Sequence, residues 1–367
     1  MTVLEALEQM VARGASDLHL TVGSPPAFRI HGRLLIAYDQ QPLRGEELHQ
    51  EIEQLLTAPQ RETFLREREL DFAVEVPGLG RFRGNVSLER HNVCLTVRRI
   101  VSLQLDLDHL GLPMVCRDLA TRPRGLTIVT GPTGSGKSTT MAAMVGYINA
   151  NADRRIVTLE DPLEYVFRNG RSMVTQRQVG EDTFSFAAGL KHALRQNPDV
   201  IMVGEMRDPE TAATVLTASE TGHLVLTTAH APSAPETIDR IIDMFPPNQQ
   251  NQIRAQLAAV LQGVLYQQLV PRADGTGLVI AVEVMLGTHA VRSLIRENKT
   301  HQLYSAMELG SNQGMQTLDQ ALLQLVRKKV ITEQTALAFA QKPASDGRDL
   351  AEERFGSWSF PSTVRTT

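Results

Sequence analysis

Nine residues, Gly131-Pro132-Thr133-Gly134-Ser135-Gly136-Lys137-Ser138-Thr139, constrain this chain more than any other stretch. An apolar run, Leu126-Thr127-Ile128-Val129, precedes them, and an apolar helical pattern, Met141-Ala142-Ala143-Met144-Val145, follows. A buried strand, a glycine-rich turn and a helix start are together the context that a phosphate-binding P-loop requires. The glycines let backbone N–H groups turn inward on the phosphates, and the following helix adds its positive N-terminal end. Lys137 is then placed to reach the β- and γ-phosphates, and the Ser138 hydroxyl to hold Mg²⁺. The pattern predicts a nucleoside triphosphate site.

A length of 367 residues predicts two to three domains. With 42% apolar and 21% charged residues the composition is that of an ordinary globular protein. A net charge of −4 gives no global footprint for nucleic acid or an anionic membrane. The two cysteines, Cys94 and Cys116, suit a reducing compartment and exclude a four-cysteine zinc site. Met1–Met10 carries two glutamates and no basic region, unlike a signal peptide, and no apolar run approaches the 18 residues of a membrane span. A cytoplasmic protein is expected.

Residues 3–13 read as an amphipathic helix and Ser16–Val22 as a half-buried strand. Asp17 and His19 share a face of that strand. Two ligands do not make a metal site, so an exposed polar face is expected there. Residues 28–37 read as a hairpin around Gly32, 45–67 as two helical stretches, and 70–101 as antiparallel strands turning at Pro77–Gly80. Residues 1–100 thus predict one small α+β domain. Within it Arg81 and Arg83 share a strand face, because side chains repeat every two residues, and Arg98 lies on the neighbouring strand. They are either a solvated basic edge or a guanidinium cluster aimed at phosphate held by another domain or subunit, in the manner of an arginine finger.

Residues 101–118 read as a linker, and 119–300 as a domain alternating strand and helix. Strands are expected at 126–130, 155–159, 199–203 and 224–229, with helices to about 150 and at 184–196 and 209–221. Such a mostly parallel α/β sheet binds ligands beyond the carboxyl ends of its strands. A helix is expected at 248–269, with Ile253, Leu257, Val260, Leu261, Val264 and Leu265 on its core stripe. A hairpin follows with a strand at 278–284; 301–342 completes a helical region, and 343–367 reads as a loose tail.

Hydrolysis of a γ-phosphate needs a metal clamp, a positioned water and charge neutralisation. The strand Asp199–Val203 delivers Gly204-Glu205 to its end, where a metal role through water fits better than direct coordination. Glu160, Asp161 and Glu164 form a second acidic group, one of which would orient the attacking water; Glu164 lies on the loop. His230, at the carboxyl end of strand 224–229, is the better candidate to sense the γ-phosphate. His223, at the other end, equally suits a core or turn histidine.

The motif at 131–139, the acidic box at 155–164, the Gly204-Glu205 strand and Thr221-Gly222-His223-Leu224-Val225-Leu226-Thr227-Thr228-Ala229-His230 resemble the type II/IV secretion ATPases. The likeness runs over residues 1–342. Ser16-Asp17-Leu18-His19-Leu20 and Ala290-Val291-Arg292-Ser293-Leu294-Ile295-Arg296-Glu297 are similar to the type IV pilus retraction branch, the PilT family, with Val291 and Ser293 as departures from its C-terminal signature. The resemblance implies a PAS-like N-terminal α+β domain, a RecA-like P-loop ATPase domain and a homohexameric ring at the inner-membrane base of the pilus machine. It implies ATP and Mg²⁺, held by Gly131–Thr139, with Ser138 and Glu205 toward the metal. Glu164 would activate water, Glu205 would associate with the metal and His230 would sense phosphate. Arg81, Arg83 and Arg98 would close on the phosphates. The partner would be an inner-membrane pilus platform protein, with a paralogous retraction ATPase beside it. The rival readings are an accessory PilU-type motor and a RecA-like nucleic-acid translocase; low aromatic content disfavours the latter.

Overall fold

The computed structural model describes residues 1–30, 32–100 and 106–341. The chain divides into two units: Met1–Leu103 together with Glu164–Val166, and Gln104–Leu163 with the chain from Phe167 onward.

The first unit runs α1 (Val3–Ala12), β1 (Asp17–Thr21), β2 (Ala27–Ile30), β3 (Arg33–Ile36), α2 (Gly45–Leu55), α3 (Ala58–Glu67), β4 (Glu69–Val76), β5 (Gly80–Glu89) and β6 (Asn92–Ile100). Helix α1 begins where Thr2 and Glu5 close a reciprocal capping box, and its 3.6-residue stripe buries Val3, Ala6, Leu7 and Met10. The six strands form one antiparallel sheet in the order β3-β2-β1-β6-β5-β4. Phe28, Phe82, Leu95 and Val97 fill its core. Its two edges differ: all of β3 is exposed, with Leu34, Leu35 and Ile36 on it, whereas β4 shows solvent Glu69, Asp71 and Glu75.

The second unit runs α4 (Val115–Ala120), β7 (Gly125–Thr130), α5 (Lys137–Asn151), β8 (Arg155–Glu160), β9 (Met173–Gln178), α6 (Phe186–Ala193), β10 (Val200–Val203), α7 (Pro209–Glu220) and β11 (Leu224–Ala229). It continues through α8 (Ala234–Asp243), α9 (Pro247–Val260), β12 (Leu261–Pro271), β13 (Leu278–Leu286), α10 (His289–Arg296), α11 (Leu303–Leu309), α12 (Leu318–Arg327) and α13 (Glu333–Phe339). The sheet order is β13-β12-β7-β11-β10-β8-β9, parallel except for β13. Strands β7, β10 and β11 are buried along their whole length, which is why they read as continuous apolar runs. Glu283 of β13, fully buried, accepts the Ala234 N–H at 2.6 Å and the Leu318 N–H at 3.2 Å, joining the first turns of α8 and α12.

Four expectations change. The helix expected at 248–269 stops at Val260, and Leu261–Pro271 is a strand beside β7. A strand buried on both faces loses its alternation and so extends the helical stripe without a break. Strand β9 and helix α8 went unread. The prolines at 101–124 suggested a linker, yet Leu107, Leu112, Cys116 and Leu119 are buried in the second unit's core; residues 101–105 lie outside the described residues, as does the tail from 342. Asp17 is buried rather than solvated, because Ser16, Arg29 and Arg98 gather around its carboxylate.

Candidate active site

Strand β7 delivers the chain into the glycine loop, and α5 begins at Lys137. Gly131, Gly134 and Gly136 have φ of 145°, 77° and 85°, in the region where glycine is at ease. A side chain on Gly131 would collide with the carbonyl of Gln267 on β12. The Lys137 ammonium is nearly buried and donates to the carbonyls of Gly131 (3.0 Å) and Pro132 (2.9 Å), so it lies over the loop it serves. Ser138, in the first turn of α5, is half-buried and available to a ligand at the helix N-terminus.

Parallel pairing brings the next strand ends to the same side of the sheet. Ala229 of β11 lies opposite Thr130 of β7, and Val203 of β10 opposite Thr227 of β11. His230 and Glu205 therefore emerge beside the loop. Thr130 Oγ1 accepts the Ala231 N–H at 3.0 Å, fixing the turn after His230 against the loop's own strand. Thr228 Oγ1 donates to the Gly204 carbonyl at 2.6 Å, and Met206 N–H to the Thr228 carbonyl at 3.0 Å, which clamps Glu205 from both sides. A Cβ on Gly204 would stand 3.2 Å from the Leu159 carbonyl, a tight approach that a larger residue would have to relieve by a small shift.

Glu205 is nearly buried; its Oε2 takes the Arg207 Nε at 2.6 Å and lies 3.7 Å from His230 Nε2. Burial lowers the His230 pKa from its ordinary value. The Lys137 charge lowers it further, against the opposing pull of Glu205, so the two conserve a neutral imidazole near neutral pH. That Lys137 is felt at His230 ties the loop and the strand end into one electrostatic site.

The other predicted residues sort differently. Glu160 is consumed by structure, accepting Thr158 Oγ1 at 2.6 Å and Gln176 Nε2 at 3.1 Å. Glu164 is exposed and falls with the first unit, which corrects the expectation that it shares a domain with Glu205 and His230. Gln178 and Gln176 of β9 hold the N–H groups of Leu163 and Phe167, and residues 164–166 lie between those anchors. His223 is a turn histidine, its Nδ1 3.0 Å from the Ala218 carbonyl. Arg83 stands directly opposite Arg98 in register and Arg81 is two residues along β5, so the three share a sheet face. Arg98 is bound to Asp17 at 2.8 Å and Arg83 reaches Asp71 at 3.7 Å. Sequence reasoning missed Gln267 and Arg207. The Gln267-Gln268 pair inside an apolar run was the available signal for the first.

Among the described residues no group of three or more His, Cys, Asp or Glu forms a metal cage. The donor set fits a Mg²⁺ carried in with a nucleotide: one hydroxyl, Ser138, and one carboxylate, Glu205, whose Oε2 is already shared. No helix among the described residues is long and apolar enough to cross a membrane.

The profile of the family described as type II/IV secretion system protein matches residues 81–353. The chain belongs to the type II/IV secretion system protein family. Within this family the type IV pilus retraction ATPase PilT of Pseudomonas aeruginosa is 44% identical over 94% of this chain and 99% of that protein. The type IV pilus ATPase PilU of the same organism is 42% identical over 91% of this chain and 87% of that protein. The crystal structure of the pilus retraction motor PilT with bound ADP superposes with a TM-score of 0.88, covering 94% of this chain and 98% of that one. The Legionella pneumophila ATPase DotB, 27% identical, gives 0.76 over 92% and 95%. Like these secretion-family structures the chain is a mixed α/β protein with two sheets, and like its relatives it is an ATPase.

Proposed function

We propose that this chain is the ATP-hydrolysing motor of type IV pilus retraction, and so of twitching motility. One observation carries the reading: Lys137, His230 and Glu205 converge at the ends of neighbouring parallel strands, in a chain akin to PilT over 94% of its length. In this reading the first unit is a PAS-like domain and the second a RecA-like domain. Gly131–Thr139 cradles the phosphates, Lys137 neutralises the β- and γ-oxygens and Ser138 takes Mg²⁺. The metal supplies charge neutralisation at the transferring phosphoryl group when bound. Glu205 approaches it through water, His230 reports the γ-phosphate as a neutral imidazole, and Glu164 orients the attacking water. Arg81, Arg83 and Arg98 close on the phosphates from the first unit of a neighbouring copy in a homohexamer. The ring works in the cytoplasm at the inner-membrane base, on a platform protein and without nucleic acid.

Glu205→Ala is expected to leave nucleotide binding intact and to lower ATP turnover by about 100-fold. Turnover equal to wild type would remove Glu205 from the mechanism. An accessory, PilU-like role is the second reading, supported by the 42% identity to that protein. Deletion of the gene in its host separates them: a hyperpiliated, non-twitching strain supports the principal motor, and retained retraction supports the accessory one.

A further inference from the structure

Strand β12 pairs with β7 up to Tyr266, opposite Thr130, so the next residue, Gln267, is level with the first glycine of the phosphate loop. Gln267 is fully buried and meets the loop at three positions. Its carbonyl lies against Gly131 where no Cβ fits, its side-chain Nε2 donates to the Ser135 carbonyl at 2.8 Å, and that same nitrogen is 3.5 Å from a Cβ placed on Gly136. Among the described residues neither Gln267 Oε1 nor Ser135 Oγ, both buried, has a hydrogen-bond partner.

A trans peptide is planar, so its C=O and N–H point in opposite directions. Anchoring the Ser135 carbonyl therefore fixes the direction of the Gly136 N–H. In a loop that binds anions through inward N–H groups, a carbonyl turned inward would set a negative dipole against the phosphate. The bond to Gln267 holds the Ser135 carbonyl outward, toward the sheet. Lys137 depends on the same geometry, since its ammonium is bound to the carbonyls of Gly131 and Pro132.

We propose that Gln267 is a positioning residue for nucleotide binding: its amide locks the Ser135–Gly136 peptide so that the loop presents N–H groups to phosphate. The proposal rests on the reading of Gly131–Thr139 as the phosphate loop. It assigns Gln267 to ground-state and transition-state binding alike, so its loss raises KM and leaves kcat nearly unchanged.

The test is titration of the full chain with a fluorescent N-methylanthraniloyl ADP, alongside steady-state ATP turnover and thermal melting. Gln267→Met keeps the volume and removes the donor. It is expected to raise the Kd for the probe about tenfold and the KM for ATP in proportion, as for a lost hydrogen bond that strands a buried carbonyl. Gln267→Glu is the second variant, retaining the shape but placing a carboxylate against the Ser135 carbonyl; a larger rise is expected. Lys137→Ala is the control for the loop itself. If Lys137→Ala loses the probe while either folded Gln267 variant binds it as wild type does, the positioning role is overturned and the loop stands. A drop in kcat at unchanged KM in either folded variant also overturns it. If Lys137→Ala binds as wild type does, the reading of the loop fails instead.

Discussion

At the scale of single residues, the loop glycines are not equivalent. Gly131 has φ of 145° and a Cβ there would strike the Gln267 carbonyl and come within 2.8 Å of Ser135 Oγ, whereas Gly134, at 77°, would place its Cβ in open space. Gly131→Ala must move β12 or the loop; Gly134→Ala bears backbone strain alone, about 1 kcal/mol. We expect Gly131→Ala to weaken binding of the fluorescent ADP at least about tenfold more than Gly134→Ala does. Equal effects would mean that the loop adapts without reference to β12. The same scale shows where sequence was a poor guide. Asp17 and His19 alternate with apolar neighbours as an exposed face does. Yet burial, which alone would raise the Asp17 pKa, is overcome by hydrogen bonds from Ser16 and Arg98, and its pKa falls below the usual value. Nothing local in Ser16–Val22 reveals that Arg98, on a strand far along the chain, will cover it.

At the scale of elements, the parts punctuated by glycine, by caps or by a clear period were legible: the strand–loop–helix at 125–151, the strand ends carrying Glu205 and His230, and the antiparallel run from β4 to β6. What failed was the junction of α9 and β12, where the one break in the apolar run, Gln262-Gly263, falls just past the helix end and the apolar residues resume at once. The edge strand β9, Met-Val-Thr-Gln-Arg-Gln, carries too little apolar signal to stand out. The β12–β13 hairpin nevertheless organises the unit, since Gln267 braces the phosphate loop and Glu283 braces two helices. Glu283 faces Asp319 of α12, Glu236 of α8, and Tyr266 and Tyr304 from β12 and α11. Burial first, and then the two carboxylates, push its pKa up from 4.5 to about 7 despite two backbone donors. An acid whose folded-state pKa is raised gives stability that is full below pH 4.5 and lost as pH rises through about 7. The corresponding range is on the order of 3 kcal/mol. Glu283→Gln does not titrate, so the wild-type Tm minus the variant Tm should fall by about 5 °C between pH 5 and pH 8. A difference that is flat with pH would show that Glu283 titrates in its ordinary range.

At the scale of the whole molecule, the question is whether the arginines act within one copy or between copies. Of the three, Arg83 suits a test best because its removal costs little stability. Its ion pair among the described residues is a long, exposed one with Asp71, of the kind worth less than about 1 kcal/mol. Arg98 does not suit it, because its loss strands the buried Asp17. The Arg81→Ala/Arg83→Ala double variant is expected to lower turnover by about 1,000-fold while the chain stays folded. Mixing it with Lys137→Ala should restore part of the activity, because a copy with a sound loop then meets a neighbour with sound arginines. No recovery on mixing, with mixed assemblies shown to form, would place the arginines in cis. The antiparallel run of the first sheet ends at Ile100, but burial of Leu107 and Leu112 cannot be foreseen from a stretch whose clearest local marks are Pro113, Pro123 and Gly125.

The unlike edges of the first unit's sheet bear on how many copies can join by that route. A sheet extends itself when its free strand templates an identical one, as in fibrils. Here an incoming copy would lay aliphatic Leu34 and Leu35 beside the exposed carboxylates of Glu69, Asp71 and Glu75, a poor match in polarity. Unlike edges of this kind disfavour end-to-end growth of the sheet into a fibre.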